Sequence, residues 1–193
     1  MNTQNYLRST AIIDWTHPAV TGKARELSQG LNTPAAIALK CFEFVRDDIF
    51  HSHDHKMNPV TLTASDVLLH RTGYCYAKSH LLAALLRANG IPTGLCYQRL
   101  TLEEGSPPYC LHGLNAVYLP ETGWYRMDAR GNRSDVDARF TPPVERLAFP
   151  GGKPGEVMIT GIWSDPLPIV VEVLSTYRTY DEVRKNLPDV ELG

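Results

Sequence analysis

Apolar positions recur at three- and four-residue steps through the first half of the chain, which is the spacing of helices. One helix is predicted to begin with Thr33 as its N-cap and Pro34 in its first position. A short helix is expected over Thr63 to His70. The main helix is predicted from about Cys75 to Ala88, and Gly90 ends it because glycine readily adopts the left-handed conformation of a helix C-terminus.

The pattern changes to alternation after residue 92, which is typical of strands. Three strands joined by turns predict an antiparallel sheet packed against the helices, an α+β fold. The predicted strands are Thr93 to Leu102, Leu111 to Leu119 and Trp124 to Ala129, with a turn at Glu104 to Pro108. The remainder is predicted to be loop from Arg130 to Gly155, followed by helices that start near Asp165 and Thr179.

Composition narrows the class of protein. With 193 residues, 43% hydrophobic content and a formal net charge of -2, the chain is expected to form a single domain over residues 1–193. The absence of a basic block argues against a nucleic-acid or membrane partner. We see no signal peptide, and the four scattered cysteines favour reduced thiols, so a cytoplasmic location is expected.

Cys75 is the most informative residue. It stands where a turn gives way to the main helix, and Gly73 permits a sharp turn before it. The positive end of the helix dipole and the unpaired N–H groups of the first turn both favour thiolate over thiol. Because the thiolate is the nucleophile, this position favours catalysis, whereas Cys41, Cys96 and Cys110 are interpreted as buried core residues.

His112 and Asp128 follow Cys75 in the order that a thiol-based triad needs. Alternation places His112 on the face of its strand that carries Leu114 and Ala116. Asp128 ends the third strand, which hairpin geometry lays beside the second. A carboxylate there would orient the imidazole and stabilise its protonated form.

Three blocks of sequence resemble the signature of transglutaminase-like proteins. The first runs from Gly73 to Pro92, where Gly-x-Cys opens a helix that closes with Leu-Arg-x-x-Gly-Ile-Pro. The other two are the histidine strand, His112 to Leu119, and the block Gly123 to Ala129, which contains the aspartate. The resemblance covers about residues 64–132.

This resemblance implies a papain-like fold and acyl transfer through a thioester. Cys75 would be the nucleophile, His112 the general base and then acid, and Asp128 the residue that orients His112. The backbone N–H of Cys75 is expected to stabilise the oxyanion, and the second donor stays open. Tyr76 stands where crosslinking transglutaminases usually have Trp, which argues against amine crosslinking and leaves a peptide, a protein or a small amide as the substrate class.

Two alternatives remain at this stage. The run Arg71 to Tyr76 also resembles the Arg-Gly-Gly-x-Cys segment of arylamine N-acetyltransferases, although Thr72 breaks the double glycine. The second alternative is a module with the same fold that binds a peptide or protein and has no catalytic activity. The sequence leaves the oligomeric state open.

A histidine cluster, His51, His53 and His55, would place three imidazoles on one face if it formed a strand. A zinc or copper site is then conceivable. The polar, irregular sequence from His51 to Pro59 favours a loop instead, so we predict no metal site. The proposed chemistry requires no cofactor. Residues 97–99 are expected either to line a cleft or to divide between core and solvent.

Overall fold

The fold is known from a computed structural model, which describes residues 3–103 and 106–190. A 3-10 turn over Gln4–Leu7 precedes the first helix, and a π-helical segment, Phe44–Asp48, follows the second. The helices are α1 Pro18–Ser28, α2 Pro34–Glu43, α3 Ser52–His55, α4 Ala64–His70, α5 Cys75–Ala88, α6 Pro168–Thr176 and α7 Tyr180–Lys185.

The strands form two sheets. Their bounds are β1 Phe50–His51, β2 Thr72–Gly73, β3 Thr93–Glu103, β4 Ser106–Leu119, β5 Gly123–Met127 and β6 Val157–Met158. The larger sheet has the order β5-β4-β3-β6 with antiparallel neighbours, as the alternating pattern predicts. Strands β1 and β2 form a small parallel pair in which His51 lies opposite Gly73.

Helix α5 is the centre of the fold. Helices α1, α2 and α4 pack on it, and strands β3 and β4 cover it from the sheet side. Every residue from Cys75 to Arg87 is buried. The helices and the sheet together therefore enclose α5 on all sides.

Polar side chains of α5 bond to backbone oxygens, although the buried His80 Nε2 has no hydrogen-bond partner among the described residues. Arg87, only 2% exposed, donates hydrogen bonds to the carbonyls of Thr93 at 3.0 Å, Arg8 at 2.9 Å and Ser164 at 2.7 Å. A charged group this deep needs such partners, since an unpaired buried charge is costly. Arg87 thereby fixes the C-terminal end of α5 to segments that are distant in sequence.

Several predicted elements are confirmed, and the differences are local. The caps Thr33 and Thr63 accept the expected backbone N–H groups, and Thr179 forms a capping box with Glu182. The second strand begins at Ser106 and not at Leu111, and residues 104–105 of the predicted turn lie outside the described residues. Helix α6 begins at Pro168, three residues after the predicted start, because Leu167 is extended.

The role expected of Gly73 is also different. The left-handed residue of this turn is Arg71, with φ of 53°, which ends α4. A Cβ atom on Gly73 would lie 3.1 Å from both the Ala77 Cβ and the Thr61 Oγ1. The position of Gly73 therefore favours glycine because neighbouring atoms leave little room for a side chain, and not because a sharp turn requires glycine there.

Candidate active site

Cys75 is the first residue of α5, as predicted. Tyr74 before it is extended, with φ of −65° and ψ of 163°, and its side chain forms no cap to the helix. The Cys75 side chain therefore lies at the positive helix end, beside N–H groups that have no partner within the helix. Gly113 of β4 donates its backbone N–H to the Cys75 Sγ at 3.4 Å.

The contact between β4 and α5 depends on the missing side chain of Gly113. A Cβ atom there would lie 3.0 Å from the Tyr76 Cα and 2.9 Å from its Cδ1. The Tyr76 hydroxyl also donates a hydrogen bond to the carbonyl of Leu111, on the other side of His112 in sequence. These contacts hold the strand against the first turn of α5 and bring His112 to the thiol.

His112 and Asp128 form a buried hydrogen-bonded pair. The imidazole Nε2–H donates to the Asp128 Oδ2 at 2.7 Å, and the two side chains are 4% and 0% exposed. Asp128 also accepts backbone N–H groups from Arg130 at 3.1 Å and from Ala148 at 3.1 Å. Burial raises the pKa of Asp128, but the charge and hydrogen bond of His112 and the two N–H groups outweigh it and lower the pKa.

The electrostatics of the thiol and the imidazole favour an ion pair. Burial raises the pKa of Cys75, yet the charge of His112 and hydrogen bonds from His112 and His51 outweigh it and lower the pKa to about 6. Burial lowers the pKa of His112, while Asp128 and Cys75 raise it to about 10. At neutral pH the pair is therefore thiolate and imidazolium, the reactive form of a catalytic cysteine.

The other three cysteines are buried and free, as expected. Burial raises the pKa of Cys41, Cys96 and Cys110 to about 12 in each case. At neutral pH they are protonated thiols. Among the four cysteines, only Cys75 has surroundings that favour the thiolate.

The histidine cluster does not form the strand on which a metal site was considered. His51 ends β1, whereas His53 and His55 lie on the short helix α3. His53 is exposed, and the His55 ring stacks on Phe50 at 4.8 Å. Among residues 3–103 and 106–190, no group of three or more His, Cys, Asp or Glu side chains is arranged to hold a metal ion.

His51 is the neighbour of Cys75 that the sequence pattern does not reveal. It is 7% exposed, and it is one of the groups that lower the pKa of the Cys75 thiol. Its sequence signal was the spacing of the three histidines, which suggested only metal binding. The parallel pairing of β1 with β2, which brings His51 to the start of α5, is a contact between distant segments that periodicity cannot predict.

Two cavities are each lined in part by residues that neighbour the site, and Cys75 is not among the residues that line either. One of about 670 Å³ is lined by Gln98, the cross-strand neighbour of His112, and by Ala148. The other, of about 250 Å³, is lined by His51 and Lys78. The Phe149 ring packs edge-on against the His112 ring at 5.0 Å and so covers the imidazole.

Residues 97–99 divide between the two expected environments. Tyr97 is buried, and its hydroxyl accepts the backbone N–H of Leu167 at 3.2 Å. Arg99 forms two hydrogen bonds of 2.7 Å with Asp189. Gln98 alone faces a cavity, which fits the cleft-lining alternative for that residue only.

A model of the family described as the transglutaminase-like superfamily matches residues 21–129, more than half of the chain. The chain belongs to the transglutaminase-like superfamily. The matched range contains Cys75, His112 and Asp128, the residues on which the resemblance was based. A thiol-based enzyme family is the class that this membership supports.

Solved structures are similar to parts of this transglutaminase-like chain. A candidate cysteine protease from Cytophaga hutchinsonii is 19% identical with a TM-score of 0.50, and the match covers 65% of this chain and 40% of that one. The periplasmic domain of TgpA from Pseudomonas aeruginosa is 21% identical with a TM-score of 0.49, covering 67% and 48%. The arylamine N-acetyltransferase of Mycobacterium abscessus is 16% identical with a TM-score of 0.45, covering 87% and 72%.

At these identities the first match shows the papain-like, transglutaminase-like fold and nothing about the reaction. The matched part of the chain spans less than half the length of the first two of these structures. The comparison with curated proteins gives no match. Within the described part of the transglutaminase-like chain, no helix is long and apolar enough to cross a membrane.

Proposed function

We propose that the protein is a thiol-dependent acyl-transfer enzyme that acts on an amide or peptide bond through a thioester on Cys75. The observation that carries this proposal is the buried Cys75–His112–Asp128 arrangement, in which Asp128 lies 2.7 Å from His112 and the surroundings lower the pKa of the thiol to about 6. Structural cysteines at neutral pH have no need of such surroundings, as Cys41 and Cys96 illustrate.

The reaction follows from these protonation states. The Cys75 thiolate attacks the carbonyl carbon, the C–S bond forms, and the C=O π electrons move to the oxygen. The oxyanion then re-forms the C=O bond and expels the amine, which takes its proton from the His112 imidazolium. Water, or another acceptor, next gives a proton to His112 and attacks the thioester, which releases the acyl product and the thiolate.

The position of the Tyr76 side chain supports hydrolysis or simple transfer over protein crosslinking. Tyr76, which follows the nucleophile, is 1% exposed and has its hydroxyl committed to Leu111, so it anchors β4. Its side chain is therefore unavailable to an incoming substrate. We propose peptides, proteins or small amides as substrates, and the cytoplasmic location remains a prediction.

The non-catalytic alternative requires that the imidazole be out of reach of the thiol. The mutual influence of His112 and Cys75, which lowers the pKa of the thiol and raises that of the imidazole, argues for an enzyme instead. Acetyl transfer from acetyl-coenzyme A uses the same three residues, so the geometry of the triad does not separate it from amide hydrolysis. The two reactions are distinguished by which acyl donor, an amide or acetyl-coenzyme A, acylates Cys75.

The test is an activity screen with a panel of amide and peptide substrates and, in a parallel arm, acetyl-coenzyme A with an arylamine. Wild type is compared with Cys75→Ala and with Cys96→Ala, which removes a buried thiol outside the site. The acyl-enzyme is trapped by acid quench and located by mass spectrometry. We expect turnover of an amide and a thioester on Cys75 in wild type and Cys96→Ala, and neither in Cys75→Ala.

Turnover that survives Cys75→Ala would overturn the proposal. Acylation only in the acetyl-coenzyme A arm would replace amide hydrolysis by acetyl transfer. Absence of acylation in every arm, together with equal alkylation of all four cysteines by iodoacetamide, would support the binding module.

A further inference from the structure

The Cys75 sulfur has two imidazole neighbours, and the proposed triad uses only one. His51 reaches the thiol because β1 runs parallel to β2, with His51 in register with Gly73, two residues before the nucleophile. Its ring packs edge-on against Tyr74 with the ring centres 5.5 Å apart. The strand pairing and this packing hold the imidazole beside the N-terminal end of α5.

The orientation of the His51 ring is defined by its two nitrogens. Nδ1 is buried without a hydrogen-bond partner among the described residues, and it lies 3.6 Å from the Asp54 Oδ1. Nε2 is therefore the ring nitrogen available to the Cys75 thiol, whose pKa His51 lowers. A nitrogen that faces the sulfur also faces the atoms that bond to the sulfur during acylation.

Arg130 connects the carboxylates behind the two imidazoles. Its guanidinium binds both oxygens of Asp54, at 2.7 and 2.9 Å, and its backbone N–H donates to Asp128 at 3.1 Å. Burial raises the pKa of Asp54, but its interactions with His51 and Arg130 outweigh it and hold that pKa well below its usual range. Asp54 is therefore an anion at neutral pH, and it is held in place behind His51.

The two imidazoles are not equivalent. Asp128 lies 2.7 Å from His112 and is fully buried, so it supports the proton that His112 takes from the thiol. Asp54 is 3.6 Å from His51 and accepts hydrogen bonds from Arg130 and Arg133, so it orients the ring by its charge. His112 is thus built as the base, and His51 has the geometry of a fixed hydrogen-bond donor.

We propose that His51 is the second oxyanion donor of the acyl-transfer reaction, acting together with the backbone N–H of Cys75. The inference rests on the proposed function, since an oxyanion forms only if Cys75 attacks a carbonyl. In the tetrahedral adduct the oxyanion is two bonds from the sulfur, so an N–H that contacts the sulfur can turn to that oxygen. The donor is positioned before the reaction, which is what makes an oxyanion site effective.

The test separates a reaction that forms an oxyanion from one that does not. Acylation of Cys75 by p-nitrophenyl acetate passes through a tetrahedral oxyanion and is followed by release of p-nitrophenolate. Alkylation of the same thiolate by iodoacetamide is a direct displacement at carbon and forms none. Both rates are measured across pH and compared on their high-pH plateaus, where Cys75 is fully thiolate in every variant.

The variants are His51→Leu, which removes the donor, His51→Gln, whose amide N–H can donate, and His55→Ala, which removes an exposed histidine of the same segment. We expect His51→Leu to lower plateau acylation roughly 10²- to 10³-fold, the effect of losing one oxyanion donor. Plateau alkylation should be unchanged. His51→Gln should recover most of the acylation rate, and His55→Ala should match wild type. His51→Ala serves where His51→Leu melts below the assay temperature.

Equal losses of acylation and alkylation in His51→Leu would overturn the inference and make His51 a residue that only positions the thiolate. Wild-type rates of both reactions would overturn it as well. Failure of wild type itself to release p-nitrophenolate faster than Cys75→Ala would instead overturn the proposed function, so the two failures are distinct.

Discussion

Gly113 packs its Cα against the backbone of Tyr76, so that strand β4 and helix α5 touch with no side chain between them. A methyl group there would sit 3.0 Å from the Tyr76 Cα, closer than most Cβ contacts, and 2.9 Å from the Tyr76 Cδ1, a distance that real Cβ atoms essentially never show. The same close approach lets the Gly113 N–H reach the Cys75 sulfur at 3.4 Å. The close packing of the Gly113 backbone thus gives the Cys75 sulfur a hydrogen-bond donor.

Replacement of Gly113 by alanine should force β4 away from α5. We expect a loss of about 1–3 kcal/mol in the free energy of unfolding, the cost of overpacking a core, and slower alkylation of Cys75. Urea unfolding and site-resolved labelling measure the two effects. Gly22→Ala is the matched control, because a Cβ on Gly22 in α1 meets nothing within 4 Å, and it should be neutral or stabilising. Equal stabilities of the two variants would contradict the packing argument.

Reactivity of the four cysteines should separate by pH. Alkylation of Cys75 by iodoacetamide should rise with a midpoint near pH 6, where its thiolate forms. Cys41, Cys96 and Cys110 should react only toward pH 12. Mass spectrometry of labelled peptides across pH gives each curve.

The same measurement on His112→Ala tests the cause of the low pKa. Removal of the imidazolium removes a favourable charge, so the Cys75 midpoint should move to higher pH. A wild-type midpoint near the ordinary thiol value, shared by all four cysteines, would show that neither the helix terminus nor His112 activates Cys75.

Asp128→Asn should preserve the fold and lose activity. An asparagine fills the same space, but its amide cannot stabilise the His112 imidazolium as a carboxylate does. We expect Cys75 acylation by p-nitrophenyl acetate to fall roughly 10³- to 10⁴-fold, by analogy with triads that have lost the carboxylate. Asp135→Asn, which alters an exposed carboxylate of the following loop, should keep the wild-type rate. A wild-type rate in Asp128→Asn would remove Asp128 from the mechanism.

Lys78 should make stability depend on pH. It is 1% exposed and donates hydrogen bonds to the carbonyls of Ile49 and Arg46, while burial lowers its pKa from the ordinary 10.5 to about 7. Between these two pH values the unfolded chain binds the proton and the folded chain does not. This group therefore contributes a stability that rises as pH increases from 7 toward 10.5.

Urea unfolding of wild type and Lys78→Met at several pH values isolates this effect, because all other groups titrate in both proteins. The stability of wild type relative to Lys78→Met should increase with pH across that window. Lys40→Met, at an exposed position of α2, should show no such trend. A difference that is constant with pH would mean that Lys78 keeps its proton when buried.

The sequence predicts the nucleophile better than its surroundings. The bounds of α5 follow from local signals, the turn before Cys75 and the stop at Gly90, and the structure matches them. His112 and Asp128 follow from strand alternation and hairpin order, which are also short-range. The positions of these three residues can be predicted because each is set by the helix or strand that carries it.

His51 and Arg130 could not be predicted in this way. The contact of His51 with Cys75 depends on a two-residue parallel pairing, β1 with β2, and its carboxylate neighbour Asp54 is held by an arginine 76 positions away in sequence. The complete burial of α5 likewise depends on elements from both ends of the chain. Such long-range packing leaves no periodic signal in the sequence.

The enclosure of α5 determines which part of the molecule can move during a reaction. A helix covered on all sides opens only with global unfolding, so its amide hydrogens should exchange with solvent more slowly than those of any surface segment. The nucleophile is thus attached to the most rigid part of the molecule. Access to the thiol must therefore come from motion outside α5, where the Phe149 ring packs against the His112 ring.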